Sequence, residues 1–143
     1  MGEAQVPARP VKVAAVDLGT VTSRLILAEI EGGRIVRFSK ISAITDLGEG
    51  VDATGELSQA AIERVAGVCS GYAREVAAFA PDACALTLTS AARDAANGNV
   101  LLERLRGLGF EPQIIPGETE ARLTFFGVAA DFAGERIGVV DSG

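Results

Sequence analysis

The fold of this chain can be read outward from one stretch near its N-terminus, Val11-Lys12-Val13-Ala14-Ala15-Val16-Asp17-Leu18-Gly19. A short, mostly apolar run that ends in a turn is typical of a buried strand. The Asp-x-Gly that closes it places a carboxylate and a flexible backbone at the carboxyl end of the strand, where ligands of open α/β sheets bind. The stretch therefore predicts a core strand and one wall of a site.

The pattern after this stretch predicts a layered α/β fold. Two more strands are predicted at 24–30 and 34–44, joined by a Gly32-Gly33 loop that suits the positive φ angles of a hairpin turn. Strands then alternate with helices in the order β-β-β-α-β-α-β-α-β, which gives a mixed sheet of three antiparallel strands followed by alternating helices and strands. This is the ribonuclease-H-like arrangement. The predicted helices are 59–80, 97–108 and 118–132, and the later strands are 85–89, 110–115 and 136–140.

Details inside these elements give further expectations. Ser58 is a suitable N-cap for the first long helix. Gly67 and Gly71 lie inside that helix, where glycine costs up to about 1 kcal/mol relative to alanine, so we expect another element to pack closely there. The helix at 118–132 is apolar on most of its circumference, so we expect it to be well buried.

Length, charge and composition exclude several classes of function. The 143 residues make one domain, with residues 1–10 as a disordered leader. Thirteen basic against nineteen acidic residues leave a net charge of −6, which argues against DNA and anionic membranes as partners. The sequence has no histidine, so histidine triads and His-ligated zinc sites are excluded.

The cysteines and the hydropathy indicate the compartment. Cys69 and Cys84 lie in apolar surroundings without CxxC spacing, which is typical of buried free thiols in a reducing cytoplasm. No apolar run reaches about 18 residues, so we expect no membrane span and a cytoplasmic location.

The Asp-x-Gly motif occurs twice at predicted strand ends. Val139-Val140-Asp141-Ser142-Gly143 repeats the pattern of the first strand. One such motif has little weight because Asp and Gly both favour turns, whereas two on matching strand ends indicate a shared site. The glycines expose backbone N–H groups to an anion, and an aspartate there can hold a hydrated metal.

Two further segments follow predicted strands. Thr89-Ser90-Ala91-Ala92-Arg93-Asp94 offers accessible backbone N–H groups and an arginine that can grip phosphate. Taken on its own, the segment is better explained as a surface loop in which Arg93 pairs with Asp94 or faces solvent. Gly117-Glu118-Thr119-Glu120-Ala121-Arg122 opens a helix, and acids in a first turn usually serve the helix dipole. That explanation suffices for Glu118 and is weaker for Glu120.

Together these pieces resemble the N-terminal domain of the exopolyphosphatase / guanosine pentaphosphate phosphohydrolase (Ppx/GppA) family, within the actin-like ATPase superfamily. The resemblance runs from about Val11 to Gly143. Five pieces carry it: Val16-Asp17-Leu18-Gly19-Thr20; Asp46-Leu47-Gly48-Glu49-Gly50-Val51 with Thr54-Gly55; Thr89-Ser90-Ala91-Ala92-Arg93-Asp94; Gly117-Glu118-Thr119-Glu120-Ala121-Arg122; and Val140-Asp141-Ser142-Gly143.

The resemblance implies hydrolysis of the terminal phosphoanhydride bond of inorganic polyphosphate or guanosine pentaphosphate, with Mg²⁺ or another divalent cation and a water nucleophile. It implies that Glu120 is the general base or orients the water, and that Asp141 and Asp17 hold the metal. The implied phosphate-binding residues are Asp17, Gly19, Thr20, Ser90, Ala91, Ala92, Arg93 and Gly143.

The chain departs from the family pattern in two places. Val21 stands where the first loop of the family usually has asparagine, so one polar contact to phosphate or metal water is missing. The chain also stops at Gly143, inside the second phosphate loop. We therefore expect a fragment of a longer enzyme that lacks its C-terminal domain and is weak or inactive alone.

Two other functions stay open at this point. The paired Asp-x-Gly turns alone would allow an ATP-dependent kinase or ATPase of the same superfamily, and Val21 would allow a non-catalytic phosphate- or nucleotide-sensing domain. A homodimer is the candidate assembly.

Overall fold

The structure is a computed structural model that describes residues 9–129. In that part of the chain it contains five strands and five helices. The strands are β1 (Val11–Leu18), β2 (Thr22–Glu31), β3 (Arg34–Ile44), β4 (Ala83–Leu88) and β5 (Pro112–Ile114). The helices are α1 (Val51–Thr54), α2 (Gln59–Phe79), α3 (Ser90–Asp94), α4 (Gly98–Gly107) and α5 (Gly117–Ala129).

The strands form one mixed sheet in the order β3-β2-β1-β4-β5. β1 pairs antiparallel with β2, and β2 with β3, whereas β4 lies parallel to β1, and β5 parallel to β4. The prediction of an α/β fold with a mixed sheet is confirmed. The three antiparallel strands β1, β2 and β3 form only part of this five-stranded sheet. β4 and β5 lie parallel to β1, because each helical crossover returns the chain to the same end of the sheet before the next strand. The predicted strand 136–140 and most of the leader lie outside the described residues.

The hydrophobic core lies between one face of the sheet and the long helices. β1 contributes Val16 and Leu18, which are 2% and 1% exposed, and β4 contributes Leu86 and Leu88. Helices α2 and α4 cover them with apolar side chains at helical spacing. These are Ala61, Ile62, Val65, Ala66, Cys69 and Tyr72 of α2, and Leu101 and Leu105 of α4. This packing fixes the sheet edge from which the loops of the site emerge.

Helix α2 begins where its sequence predicts. The Ser58 hydroxyl accepts a hydrogen bond from the Ala61 N–H at 3.1 Å, which satisfies one first-turn donor. The expected close packing at the helix glycines is wrong. A Cβ at Gly67 would meet nothing within 4 Å of the described chain, and one at Gly71 would meet only the Arg74 guanidinium at 3.8 Å.

Three other local expectations need correction. The segments predicted as loops contain the short helices α1 and α3. The beginning of α5 is mostly exposed, with Leu123 at 56%, because no described element covers it. Cys69 is buried as expected, but Cys84, the second residue of β4, is exposed.

No described helix has both the length and the apolar character that crossing a membrane requires. The segments that follow β1, β4 and β5 leave the sheet at the same edge, because these three strands are mutually parallel. Ligands of open α/β sheets bind at this carboxyl edge.

Candidate active site

A pocket of about 220 Å³ opens at the carboxyl end of β1. Its lining comes from the first turn, from the start of β2, from the β4–α3 junction and from α5. The lining residues are Asp17, Gly19, Thr20, Val21, Thr22, Arg24, Thr89, Ser90 and Glu120. Residues from 17–24, from 89–90 and from the start of α5, which are far apart in the sequence, therefore meet at one small cavity.

The turn after β1 is tight at Gly19. The Gly19 N–H donates to the Thr22 carbonyl at 3.0 Å, and a Cβ at Gly19 would lie 3.1 Å from the same oxygen. The Val21 carbonyl accepts from the N–H groups of both Thr45 and Asp46, at 2.9 and 3.0 Å. These bonds hold the turn against the chain that leaves β3, so its shape does not depend on a ligand.

A hydroxyl pair joins this turn to α3. Thr20 Oγ1 and Ser90 Oγ are 2.8 Å apart, a hydrogen-bond distance. The Thr89 N–H also donates to the Leu18 carbonyl at 3.3 Å, so backbone and side chains both connect the two segments. The N–H groups at the start of a helix have no acceptor within the helix, so those of α3 can serve a ligand.

An arginine connects α3 to α5. Arg93 Nη1 donates to the Ile115 carbonyl at 2.8 Å and lies 3.6 Å from Glu120 Oε2. The two side chains are about one-third exposed. The alternative partner, Asp94, lies farther from Arg93 at 4.0 Å and is mostly exposed. The Arg93 guanidinium therefore lies slightly closer to the Glu120 carboxylate than to that of Asp94.

A second arginine lies at the pocket wall. Arg24 is directly opposite Asp17 in the β1–β2 register, and its Nη1 lies 3.9 Å from Asp17 Oδ2. Both side chains are about half exposed, so the ion pair adds little to stability and leaves the guanidinium accessible. Sequence reasoning missed Arg24 as a site residue. The β1–β2 register could have found it, because counting outward from the turn at 19–22 pairs residue 24 with residue 17.

The structure brings most of the predicted site residues together. Asp17, Gly19, Thr20, Ser90 and Glu120 line the pocket, and Arg93 contacts Glu120 beside it. The side chains of Ala91 and Ala92 are 6% and 2% exposed and belong to the core, so only their backbone is available to a ligand. Asp141 and Gly143 lie outside the described residues.

The oxygen donors of the pocket fit a hard cation in kind. Asp17 and Glu120 supply carboxylates, and Thr20, Thr22 and Ser90 supply hydroxyls. Residues 9–129 contain no group of three or more His, Cys, Asp or Glu side chains placed to hold a metal by themselves. Mg²⁺ usually takes one or two carboxylates and completes its shell with water and substrate phosphates, which this donor set permits.

Comparisons with known proteins identify the family of this chain. The family model for the Ppx/GppA phosphatase family matches residues 26–143. Exopolyphosphatase 2 of Mycobacterium tuberculosis is 32% identical over 92% of this chain and 45% of that protein. The guanosine-5'-triphosphate,3'-diphosphate pyrophosphatase of Photobacterium profundum is 30% identical over 91% of this chain and 27% of that protein.

A solved structure extends the likeness to three dimensions. The crystal structure of the Aquifex aeolicus Ppx/GppA family member superposes with a TM-score of 0.81 and 31% identity, over 88% of this chain and 42% of that one. This chain spans less than half the length of these relatives. With the family model matching most of its residues, the chain belongs to the Ppx/GppA phosphatase family.

Proposed function

We propose that this chain is the N-terminal, phosphate-binding domain of a longer hydrolase. Its substrate is inorganic polyphosphate or guanosine pentaphosphate, and the reaction releases the terminal phosphate to water. The names of the two curated relatives support these substrate classes. The observation that carries the proposal is the pocket that joins the first turn, the start of α3 and Glu120.

The polar groups around the pocket match the needs of phosphoryl transfer. That reaction depends mainly on positioning and on neutralising charge, since water is the nucleophile. The backbone N–H groups of Thr20 and Ser90 and the hydroxyl pair would hold the terminal phosphate. Arg24, which borders the same cavity, would offset negative charge on the phosphate next to it.

Glu120 is the proposed base. Its carboxylate borders the cavity and contacts the Arg93 guanidinium, which sets its direction. From there it would orient a water molecule toward the terminal phosphorus and accept its proton as the new P–O bond forms. The cleaved anhydride oxygen leaves with the shortened substrate.

Asp17 would hold Mg²⁺ together with Asp141. When bound, the ion would supply charge neutralisation on the phosphate oxygens. The remaining ligands would be water and the substrate itself.

One observation favours a second candidate, a phosphate- or nucleotide-sensing domain. Val21 borders the cavity with 48% of its surface exposed, where the family pattern expects an amide. An apolar side chain there donates no hydrogen bond to phosphate, so binding without efficient turnover is the alternative outcome.

Phosphate release distinguishes the two candidates. The longer protein that contains this chain is incubated with Mg²⁺ and polyphosphate, guanosine pentaphosphate or ATP, and orthophosphate is measured. Release from either of the first two supports the hydrolase, and release from ATP alone contradicts it. Tight binding of polyphosphate or pentaphosphate without release identifies a sensor. This chain alone should bind substrate weakly and release little phosphate, because a site at a sheet edge without a covering domain stays open to water.

A further inference from the structure

The segment 45–51, which follows β3, packs behind the first turn of the pocket. The Gly48 N–H donates to the Thr20 carbonyl at 2.9 Å, next to the two bonds that Thr45 and Asp46 make to Val21. The segment thus supplies three backbone donors to two consecutive carbonyls of the turn. None of its own residues lines the cavity, so its effect on a ligand must pass through the turn.

Gly48 makes the closest approach in this contact. A Cβ at this position would lie 2.3 Å from Thr20 Cγ2, a distance that side chains do not adopt. The next neighbours, Thr20 Cβ and Ala91 Cβ, would both be at an ordinary 3.5 Å. Gly48 does not have positive φ, unlike Gly50, so this glycine is required by space and not by backbone conformation. Within residues 9–129, the one atom that a Cβ at Gly48 would clash with is the methyl carbon of Thr20.

The position of that methyl group is coupled to the pocket. Thr20 carries Cγ2 and Oγ1 on the same carbon, so rotating the side chain to relieve a clash also moves the hydroxyl away from Ser90. The 2.8 Å contact between Thr20 Oγ1 and Ser90 Oγ therefore depends on the space beside Gly48.

Helix α2 anchors the segment 45–51, so the segment cannot easily move away from Thr20. Arg64 donates to the carbonyls of Thr45 and Asp46 at 3.0 and 3.2 Å and pairs with the Glu49 carboxylate at 2.8 Å. The Thr45 hydroxyl also makes a buried 2.7 Å hydrogen bond with Ser23. A clash at Gly48 must then be relieved mainly on the Thr20 side.

We infer that Gly48 is a positioning residue for the phosphate site: its lack of a side chain holds the Thr20 hydroxyl against Ser90. The inference rests on the proposed function for its catalytic meaning. Its structural part, the dependence of the hydroxyl pair on Gly48, holds for the chain without ligand.

The test uses four variants of the whole chain: Gly48→Ala, Thr20→Ser, the double variant, and Gly67→Ala as a control for adding a methyl group in open space. Calorimetry measures the affinity for tripolyphosphate with Mg²⁺, and ¹H–¹⁵N spectra of the unliganded chain report the Ser90 amide. Gly48→Ala should weaken binding about tenfold or more, because a hydrogen bond to a charged group is lost or misplaced. The double variant should bind like Thr20→Ser, since serine keeps the hydroxyl and lacks Cγ2.

Each outcome decides the matter. Weaker binding and a shifted Ser90 amide in Gly48→Ala, both reversed by Thr20→Ser, support the inference. Unchanged binding in Gly48→Ala, or a loss that Thr20→Ser does not reverse, overturns it. If neither the wild-type chain nor the longer protein that contains it binds tripolyphosphate, the proposed function fails and the amide spectra alone judge the role of Gly48. A Ser90 shift that Thr20→Ser reverses then supports it, and no reversible shift overturns it.

Discussion

The guanidinium of Arg93 contacts two acceptors at once: Nη1 lies 2.8 Å from the Ile115 carbonyl oxygen and 3.6 Å from Glu120 Oε2. The first acceptor follows β5 directly, and the second lies in the first turn of α5. Arg93 therefore ties α3 to the chain that enters α5, and its guanidinium lies beside the Glu120 carboxylate. Catalytic and structural consequences of changing these residues can be separated by experiment.

Glu120→Gln should abolish most turnover while the fold persists. Glutamine keeps the shape of the side chain and cannot accept the proton of water, a loss that typically lowers rates 10²–10⁴-fold. Phosphate release by the longer protein that contains this chain measures the effect, with thermal unfolding as a check on folding. Glu118→Gln, an exposed change in the same helical turn, is the matched control. Near-normal turnover in a folded Glu120→Gln variant would contradict the role of this carboxylate.

Arg93→Ala should lower both stability and turnover. Removing the donor to Ile115 costs about 1 kcal/mol of unfolding free energy, the usual net worth of a hydrogen bond, and it frees Glu120 to move. Urea unfolding of this chain measures the first effect, and phosphate release by the longer protein measures the second. Arg122→Ala, an exposed change on α5, should alter neither by much. If Arg93→Ala reduces stability and leaves kcat and KM intact, Arg93 is structural only.

Val21→Asn should tighten substrate binding. Val21 is 48% exposed at the cavity, so an amide fits there without displacing the core, and it can donate to phosphate. A hydrogen bond to a charged group is worth about 1.5–3 kcal/mol when well placed, or at least tenfold in affinity. Calorimetry with tripolyphosphate and Mg²⁺ tests this, with Val21→Ala separating the effect of the amide from that of a smaller side chain. Equal or weaker binding by Val21→Asn would contradict this prediction, because it would show that an amide at this position adds no favourable contact to the phosphate.

The two thiols should differ sharply in reactivity. Burial raises the pKa of Cys69 to about 12, so almost no thiolate forms there at pH 8, and the side chain is inaccessible. Cys84 is exposed as a residue, although partial burial of its thiol raises its pKa as well. A disulfide reagent at pH 8 should therefore modify one thiol per native chain and two in urea, with the native rate rising as the pH increases. Cys84→Ser should leave no fast-reacting thiol. Rapid modification of both cysteines in the native chain would mean that α2 opens readily.

The strand and helix pattern of the first 115 residues is largely readable from sequence. The hairpin at Gly32-Gly33 has φ of 57° and 77°, as a two-residue glycine loop requires. Ser58 caps α2 as expected, because a side-chain acceptor followed by helical periodicity is a local signal. The short helices α1 and α3 escape such reasoning, since five or fewer residues show no periodicity.

The site was predictable where a motif follows a strand and was missed where tertiary packing decides. Asp17, Ser90 and Glu120 meet because parallel strands end at one edge of the sheet. Arg24 belongs to the site because the β1–β2 register places it opposite Asp17, which is visible only when residues are counted across the two strands. The role of Gly48 could not be read from the sequence, because only the packing shows that a Cβ there would meet the Thr20 side chain.

Strand β3 forms one edge of the described sheet and is exposed along nearly its whole length. Such an edge can pair with strands of other molecules, and the exposed apolar side chains of Phe38 and Ile41 would strengthen that association. Three cations, Arg34, Arg37 and Lys40, interrupt it in an otherwise acidic chain. Two copies that pair along this edge in parallel register, or antiparallel about Arg37, would place these cations opposite one another. These charges therefore protect the strand against aggregation. Replacing the three cations with neutral residues should lower the protein concentration above which the chain aggregates.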